Sequence, residues 1–286
     1  MSIVRLIEEL DLPPILYKYR NYQDVNYCNK VEKISLSYAT QSLLKKELFI
    51  PSANTFNDPY DSAVPFRYDP KDLIEDNIFI KCLELAKRQY PKADDTFLHH
   101  YAFENQKKGL INNPDHIEEH DRDTYNKTCR DFGIFCLTTD EKNLLMWSYY
   151  ADSHRGFCVG YDTKYLIESK VFGMGGKVIY RDDFPTVPLF PDERSHHFLD
   201  LFYTKWAVWE HENEYRLLHI YRTGKIHPYA PENIQEIILG CKFPEKDKLE
   251  FATKLLQVYP HVRIYEIKLD KSIFRLEKQL FIDGTL

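Results

Sequence analysis

Apolar and polar positions along this chain recur with two periods, and the switch between them divides it. Ile3, Leu6, Ile7 and Leu10 fall at helical spacing, which predicts a short amphipathic helix ended by Pro13-Pro14. Ile15-Leu16-Tyr17-Lys18-Tyr19-Arg20 alternates and predicts a strand. Residues 35–47 put Leu36, Ala39, Leu43 and Leu44 on one helical side, and Leu48-Phe49-Ile50 predicts a short strand stopped by Pro51. From 70 to 130 the chain is charged, with Leu73, Ile74, Ile78, Ile80, Leu83 and Leu85 at helical spacing. Strand patterning resumes at 133–137 and 156–161. A strand at Lys177-Val178-Ile179-Tyr180 follows within a loop-like stretch, and 193–208 suits a helix carrying Phe198, Leu201, Phe202 and Trp206. Strand 234–239, helix 245–257 and strand 262–269 make a β–α–β crossover, with 274–280 as a further edge. The expected fold class is α+β, a single domain over residues 1–286. Its mixed central sheet is drawn from 15–66 and 132–282, with a helical insertion at 70–130 packed on its side.

Composition narrows the function classes. With 38 Lys and Arg against 44 Asp and Glu, the formal charge of −6 argues against coating nucleic acid, which needs a basic face. Six cysteines without a CxxC pair or zinc-finger spacing fit reduced thiols in a cytoplasm, and no structural metal is expected. His116 and His120 stand four apart, a spacing that can share a metal, but no third ligand accompanies them and a solvated helical face is the simpler reading. Acidic residues Glu8, Glu9 and Asp11 occupy the place of a signal peptide's apolar core, and no run approaches the ~20 apolar residues of a membrane helix.

The densest candidate chemistry lies between the strands at 133–137 and 156–161. Trp147, Tyr149, Tyr150, His154 and Arg155 crowd there, and connections between strands are where scaffolds present reactive groups. Packed core aromatics are the competing reading. Further on, Glu210, Glu212 and Glu214 alternate, so on a strand they share one face. Like charges so placed repel and need cations, and Arg216 has the parity to neutralise the last of them. Asn57-Asp58-Pro59 is strong turn chemistry, with the alternative that Asn57, Asp58 and Asp61 face a cleft and hold a ribose or a metal. Gly173-Met174-Gly175-Gly176 is no dinucleotide fingerprint, since no helix follows it directly.

LYKYR at 16–20, FNDPYD at 56–61, MWSYYADSHRGFCVGYD at 146–162, WEHENEYRLL at 209–218 and EIILG at 236–240 occur in that order. Together they resemble the bacterial family called domain of unknown function 2971, a name that carries no chemistry. A more distant similarity is to ADP-ribosyltransferases, through Arg20, Thr138 or a neighbouring Tyr, and Glu212-Asn213-Glu214 in that order. The chain departs from that pattern in reading CLTTD at the middle motif. The resemblance implies a nucleotide-directed enzyme with NAD as substrate and a protein or nucleic-acid acceptor. Arg20 would grip phosphate or ribose, Trp147 or Tyr150 would stack on nicotinamide, and Glu214 would stabilise the oxocarbenium as nicotinamide leaves. It also implies a toxin or anti-phage effector. The alternative is a non-enzymatic sensor binding a ligand or protein through an aromatic cleft, and a third reading is a metal-dependent nuclease using Asp58, Asp61 and the glutamates. Under the enzyme reading Arg20, Trp147, His154, Glu212, Glu214 and Arg216 are expected to surround one pocket.

Overall fold

A computed structural model describes residues 5–6, 11–28, 31–65, 67–109, 111–191, 201–220, 224 and 226–285. The chain divides into two compact units, one built from Ala53–Asp131 and Ile179–Ala207, the other from Arg5–Ser52, Phe132–Val178 and Val208–Leu286.

The larger unit holds a mixed sheet, and the fold is α+β. Among the described residues its strands are β1 (Arg5–Leu6), β2 (Ile15–Arg20), β6 (Phe132–Thr138), β7 (Phe157–Asp162), β8 (Met174–Lys177), β11 (Glu214–Ile220), β13 (Ile234–Leu239), β14 (Arg263–Leu269) and β15 (Leu276–Asp283). They are ordered β1-β8-β11-β6-β2-β7-β13-β14-β15. The expected crossover is present: β13 and β14 run parallel, joined through α7 (Glu245–Val258), and β15 closes the edge antiparallel to β14. Two small ladders complete the unit, β3 (Gln23–Cys28) with β4 (Val31–Leu36), and β5 (Glu47–Phe49) with β12 (Ile226–Pro228).

Alternation gives the sheet two faces with different contents. On one, Leu16, Phe135, Leu137, Phe157, Val159, Tyr161 and Leu217 pack with residues of α1 (Tyr38–Lys45), α6 (Thr163–Glu168) and α7. Helix α1 is set by its ends: Ser37 caps the Thr40 amide, and Lys46 takes the left-handed conformation at φ 59°. On the other face Tyr17, Tyr19, Cys158 and Ile238 pack with Trp147 and Ala151 of the α5 region (Leu144–Tyr150). Asn143 starts α5 by accepting from the Leu145 and Met146 amides.

The smaller unit carries the helical stretch expected at 70–130, as α2 (Glu75–Gln89), α3 (Asp95–Lys107) and α4 (Pro114–Asp131). Ile78 and Cys82 of α2 and Ala102 of α3 are buried with Ile111 and Leu189. A parallel pair, β9 (Ile179–Arg181) and β10 (Thr204–Trp206), belongs to the same unit.

Two expectations need correcting. Arg5 and Leu6 are a strand pairing with Gly175 and Met174, not part of a helix; a bare β8 edge satisfies their backbone groups better than a single helical turn. The rest of that segment lies outside the described residues. The helix expected at 193–208 is not found where the chain is described: 201–203 is a 3-10 turn, and Thr204–Trp206 pairs with β9. Residues 192–200 lie outside the described residues.

Candidate functional site

Register decides which predicted residues meet. Glu214 lies opposite Thr138 and Arg216 opposite Cys136 across β11 and β6, and Thr138 lies opposite Tyr17. These side chains therefore share the face that holds Trp147. Leu16, Lys18 and Arg20 alternate with Tyr17 and Tyr19 along β2 and stand on the other face. Arg20 is thus separated from Glu214 by the sheet, and the single pocket expected from Arg20, Trp147, His154, Glu212, Glu214 and Arg216 does not form. An order of motifs along a chain says nothing about the parity with which each strand is read.

On the Glu214 face the buried carboxylates are paired. Arg216, with no exposed surface, forks onto Glu214 with Nε–Oε1 at 2.8 Å and Nη2–Oε2 at 2.9 Å. Both charges are spent on each other. The three glutamates do not share a strand face. Residues 207–212 form a 3-10 turn, Asn213 turns the chain at φ 44°, and only Glu214 enters β11. Glu210 is exposed, whereas buried Glu212 accepts from the Tyr150 hydroxyl at 2.7 Å. Tyr150 is thereby a partner of a carboxylate rather than an open stacking face. Tyr17 and Lys278 both donate to Glu236 on the same face, and burial with that carboxylate raises the Tyr17 hydroxyl's pKa.

Trp147 has no exposed surface, gives its indole N–H to the Glu141 carbonyl at 2.9 Å, and meets Tyr19 edge-on at 5.0 Å between centroids. It is core, as the competing reading held. His154 stacks beside it, with Nε2 3.1 Å from Ser148 Oγ. Ser148 already donates to the Leu144 carbonyl, so the imidazole is the donor in that bond, and Ser–His nucleophile activation is not built here. Burial, then Lys242, lowers the His154 pKa. His154 ends a run of three left-handed residues at φ 47°, 52° and 72°, and its carbonyl accepts from Lys242 N. Gly240 is required beside it because a Cβ would collide with that carbonyl. Exposed Arg155 finds its acceptor in half-buried Asp152. Thr138 is buried, and its hydroxyl accepts from the Asp140 amide at 3.1 Å.

Asn57 and Asp58 belong to the smaller unit. Asn57 is exposed, and buried Asp58 accepts from the Tyr60 amide at 2.9 Å, as turn chemistry requires. Among the described residues no group of three or more His, Cys, Asp or Glu is arranged to hold a metal.

The Arg20 face is different. Strands β2 and β6 pair only at Tyr17 and Thr138, then part. Lys18 occupies the gap, donating to the Cys136 carbonyl at 2.5 Å with its ammonium 4.6 Å from the centre of the Phe135 ring. Burial, then the neighbouring Arg20, lowers the Lys18 amine from 10.5 to about 7. Pro51 fills the next position along β6, accepting from the Ile134 amide at 2.8 Å. Beside this wedge lies a cavity of about 230 Å³, into which α1, β5 and β7 contribute walls and Arg20 a guanidinium.

Arg20 has no hydrogen-bond or ion-pair partner among the described residues, and burial lowers its pKa. Ser42, from α1, lines the same cavity with a buried hydroxyl that has no partner among the described residues. The Tyr161 hydroxyl is likewise unbonded among the described residues, and burial pushes it up to about 12, so it stays a donor at neutral pH. Tyr229 differs: Tyr259 donates to the Leu43 carbonyl at 2.5 Å, so Tyr229 must give its proton to Tyr259, 2.7 Å away. Glu47 adds one carboxylate to the lining, with Phe49 and Phe157 as apolar wall. Lys18, Ser42 and Tyr161 were not singled out from sequence. Cations at alternate positions of LYKYR were the signal for Lys18; nothing local marked the other two.

The fold is thus an α+β protein with a mixed sheet whose two faces carry different polar chemistry. The family model described as "Protein of unknown function (DUF2971)" matches residues 146–217, from α5 into β11. This is the family that MWSYYADSHRGFCVGYD and WEHENEYRLL resemble, and the match covers most of both motifs. No curated protein and no solved structure matches the chain. No helix among the described residues is long and apolar enough to cross a membrane.

Proposed function

We propose that this protein binds a small anionic ligand carrying a planar or apolar body, of the nucleotide class, in the Arg20 cavity. The observation that carries the reading is the Arg20 guanidinium, unpaired among the described residues, beside the hydroxyls of Ser42 and Tyr161, which have no partner among them either. A half-buried cation without a counterion costs free energy unless something in the functional state pairs with it. A phosphate or carboxylate would take the planar fork bidentately and accept from both hydroxyls. Glu47 and the Tyr229 oxygen supply acceptors for a ligand hydroxyl or amino group, and Phe49 and Phe157 a wall for its ring.

This favours the sensor reading over an ADP-ribosyltransferase-like or NAD-cleaving enzyme. The latter needs Arg20 and Glu214 on one ligand, and they stand on opposite faces of the sheet. A toxin or anti-phage role rests on the distant resemblance alone. A reducing cytoplasm agrees with Cys82, Cys129, Cys136, Cys158 and Cys241 being free thiols.

The test is calorimetric titration with inorganic phosphate, AMP and NAD, together with an assay of nicotinamide release. AMP binding that Arg20→Met abolishes, with no nicotinamide released, is the expected result. Release of nicotinamide by the wild type, lost in a folded Glu214→Gln variant, would restore the enzyme reading.

A further inference from the structure

The smaller unit has a cavity of its own, of about 240 Å³, on the parallel pair β9–β10. Three aromatic rings border it: Tyr60 from the turn after Asp58, Phe184 after β9, and Trp206 at the end of β10. Each is about half exposed, at 51%, 48% and 50%. Single exposed aromatics need no explanation, but three around one cavity form a patch of the kind that marks a binding site. The rings are not stacked on each other. Tyr60 stands at 83° to Trp206 with centroids 6.4 Å apart, and at 49° to Phe184 with centroids 6.1 Å apart. Trp206 is fixed in that attitude by its indole N–H, which donates to Asp182 at 3.1 Å.

The charges around the rings lean negative. Lys205 is buried and lies 3.4 Å from buried Asp61, so its charge is answered inside the protein. That leaves Arg181 as one lining cation against the two carboxylates of Asp182 and Asp183. Aromatic faces present the negative lobe of their quadrupole, and rings set at angles present several such faces to one point. An anion or a phosphate is opposed by both the carboxylates and the rings. A primary ammonium is strongly hydrated and gains little by leaving water, whereas a methylated one carries its charge under an apolar surface that the rings can cover.

We propose that the cavity bounded by Tyr60, Phe184 and Trp206 is an aromatic cage for a methylated ammonium head group. The site is independent of the Arg20 cavity, differs from it in the sign of its ligand, and stands or falls without it.

The experiment titrates the full-length protein with choline and, separately, with its neutral carbon isostere 3,3-dimethyl-1-butanol. A trimethyllysine peptide and its unmethylated counterpart separate a free small molecule from a modified protein tail as the source of the same head group. Adenosine serves as the planar uncharged probe. Binding is read by calorimetry and by fluorescence, with Trp206→Leu identifying the reporting indole. The expected result is that choline or the trimethyllysine peptide binds and the matching neutral or unmethylated probe binds about tenfold more weakly or less, the scale of a partly desolvated cation–π site. Trp206→Leu, which keeps apolar bulk, should abolish the difference while leaving the melting temperature within a degree or two. Asp183→Asn, an exposed change that spares the fold, should weaken choline and leave the isostere unaffected. Equal binding of choline and isostere would make the cavity merely apolar and overturn the proposal. Preferential binding of adenosine, or no binding of either methylated probe at millimolar concentration, would overturn it as well.

Discussion

The two faces of the sheet carry cations of the same residue type in opposite circumstances. Arg216 is enclosed on one face with its guanidinium forked onto Glu214. Arg20 lines a cavity on the other with nothing to fork onto among the described residues. Chemistry concentrated in sequence around Glu212-Asn213-Glu214 proves to be inward-facing and answered, while the open valence lies where the sequence shows one Arg at a strand end. Removing one partner of an enclosed pair leaves an uncompensated charge, whereas a charge that has no protein partner marks a place where a ligand can supply one.

The largest expected effect breaks the answered pair. Glu214→Gln leaves the Arg216 guanidinium with a single weak acceptor from that side chain in a site without exposed surface. Chemical denaturation should show a loss of roughly 3–5 kcal/mol. A loss under about 1 kcal/mol would mean that the pair behaves as a surface salt bridge and that the contrast between the faces is false.

Next in size is Tyr150→Phe, which removes the hydroxyl 2.7 Å from the buried Glu212 carboxylate. A hydrogen bond to a charged group is worth about 1.5–3 kcal/mol, so the melting temperature should fall by several degrees. No change in melting would show that Glu212 does not depend on Tyr150.

Arg20→Met should cost nothing, or stabilise by up to about 1 kcal/mol, since it removes a charge that has no partner among the described residues. The same substitution is expected to abolish anion binding. If Arg20→Met unfolds the protein as Glu214→Gln does, Arg20 is structural, and the assignment of its cavity to an anion fails.

The remaining effect is a slope. The Lys18 amine lies at about 7 in the folded chain against 10.5 as its ordinary value. Between those values the unfolded chain binds more protons than the folded one, so stability rises as pH is raised through this window. Below about 7 the folded protein carries the full cost of enclosing the ammonium. Denaturation midpoints at pH 6.5 and 9 should therefore diverge for the wild type more than for Lys18→Met. Parallel pH dependence in the two proteins would remove Lys18 as the titrating group.

Much of this architecture was already determined by the sequence. The strand over 15–20, the strands at 133–137 and 156–161, the helical stretch from 70 to 130 and the β–α–β unit beginning at Ile234 all follow from periodicity. Burial of one face imposes that periodicity locally. The resemblance carried by residues 146–162 and 209–218 was legible for the same reason, since it is a property of contiguous residues. Parity along β2 even implied that Lys18 and Arg20 share a face and that Tyr17 and Tyr19 share the other. What sequence could not supply was which face of β2 corresponds to which face of β11. That depends on the Tyr17–Thr138 and Thr138–Glu214 registers, between strands more than a hundred and about seventy-five residues apart. Pairing of that range is decided by the whole core, because slipping one strand by one residue would turn its buried side outward. Only the tertiary structure could put Ser42, Tyr161 and Arg20 around one cavity, since a hydroxyl left without a partner is a fact about its neighbours in space. The same holds for Arg5-Leu6, whose helical spacing was real but whose backbone groups found an unpaired strand edge at β8.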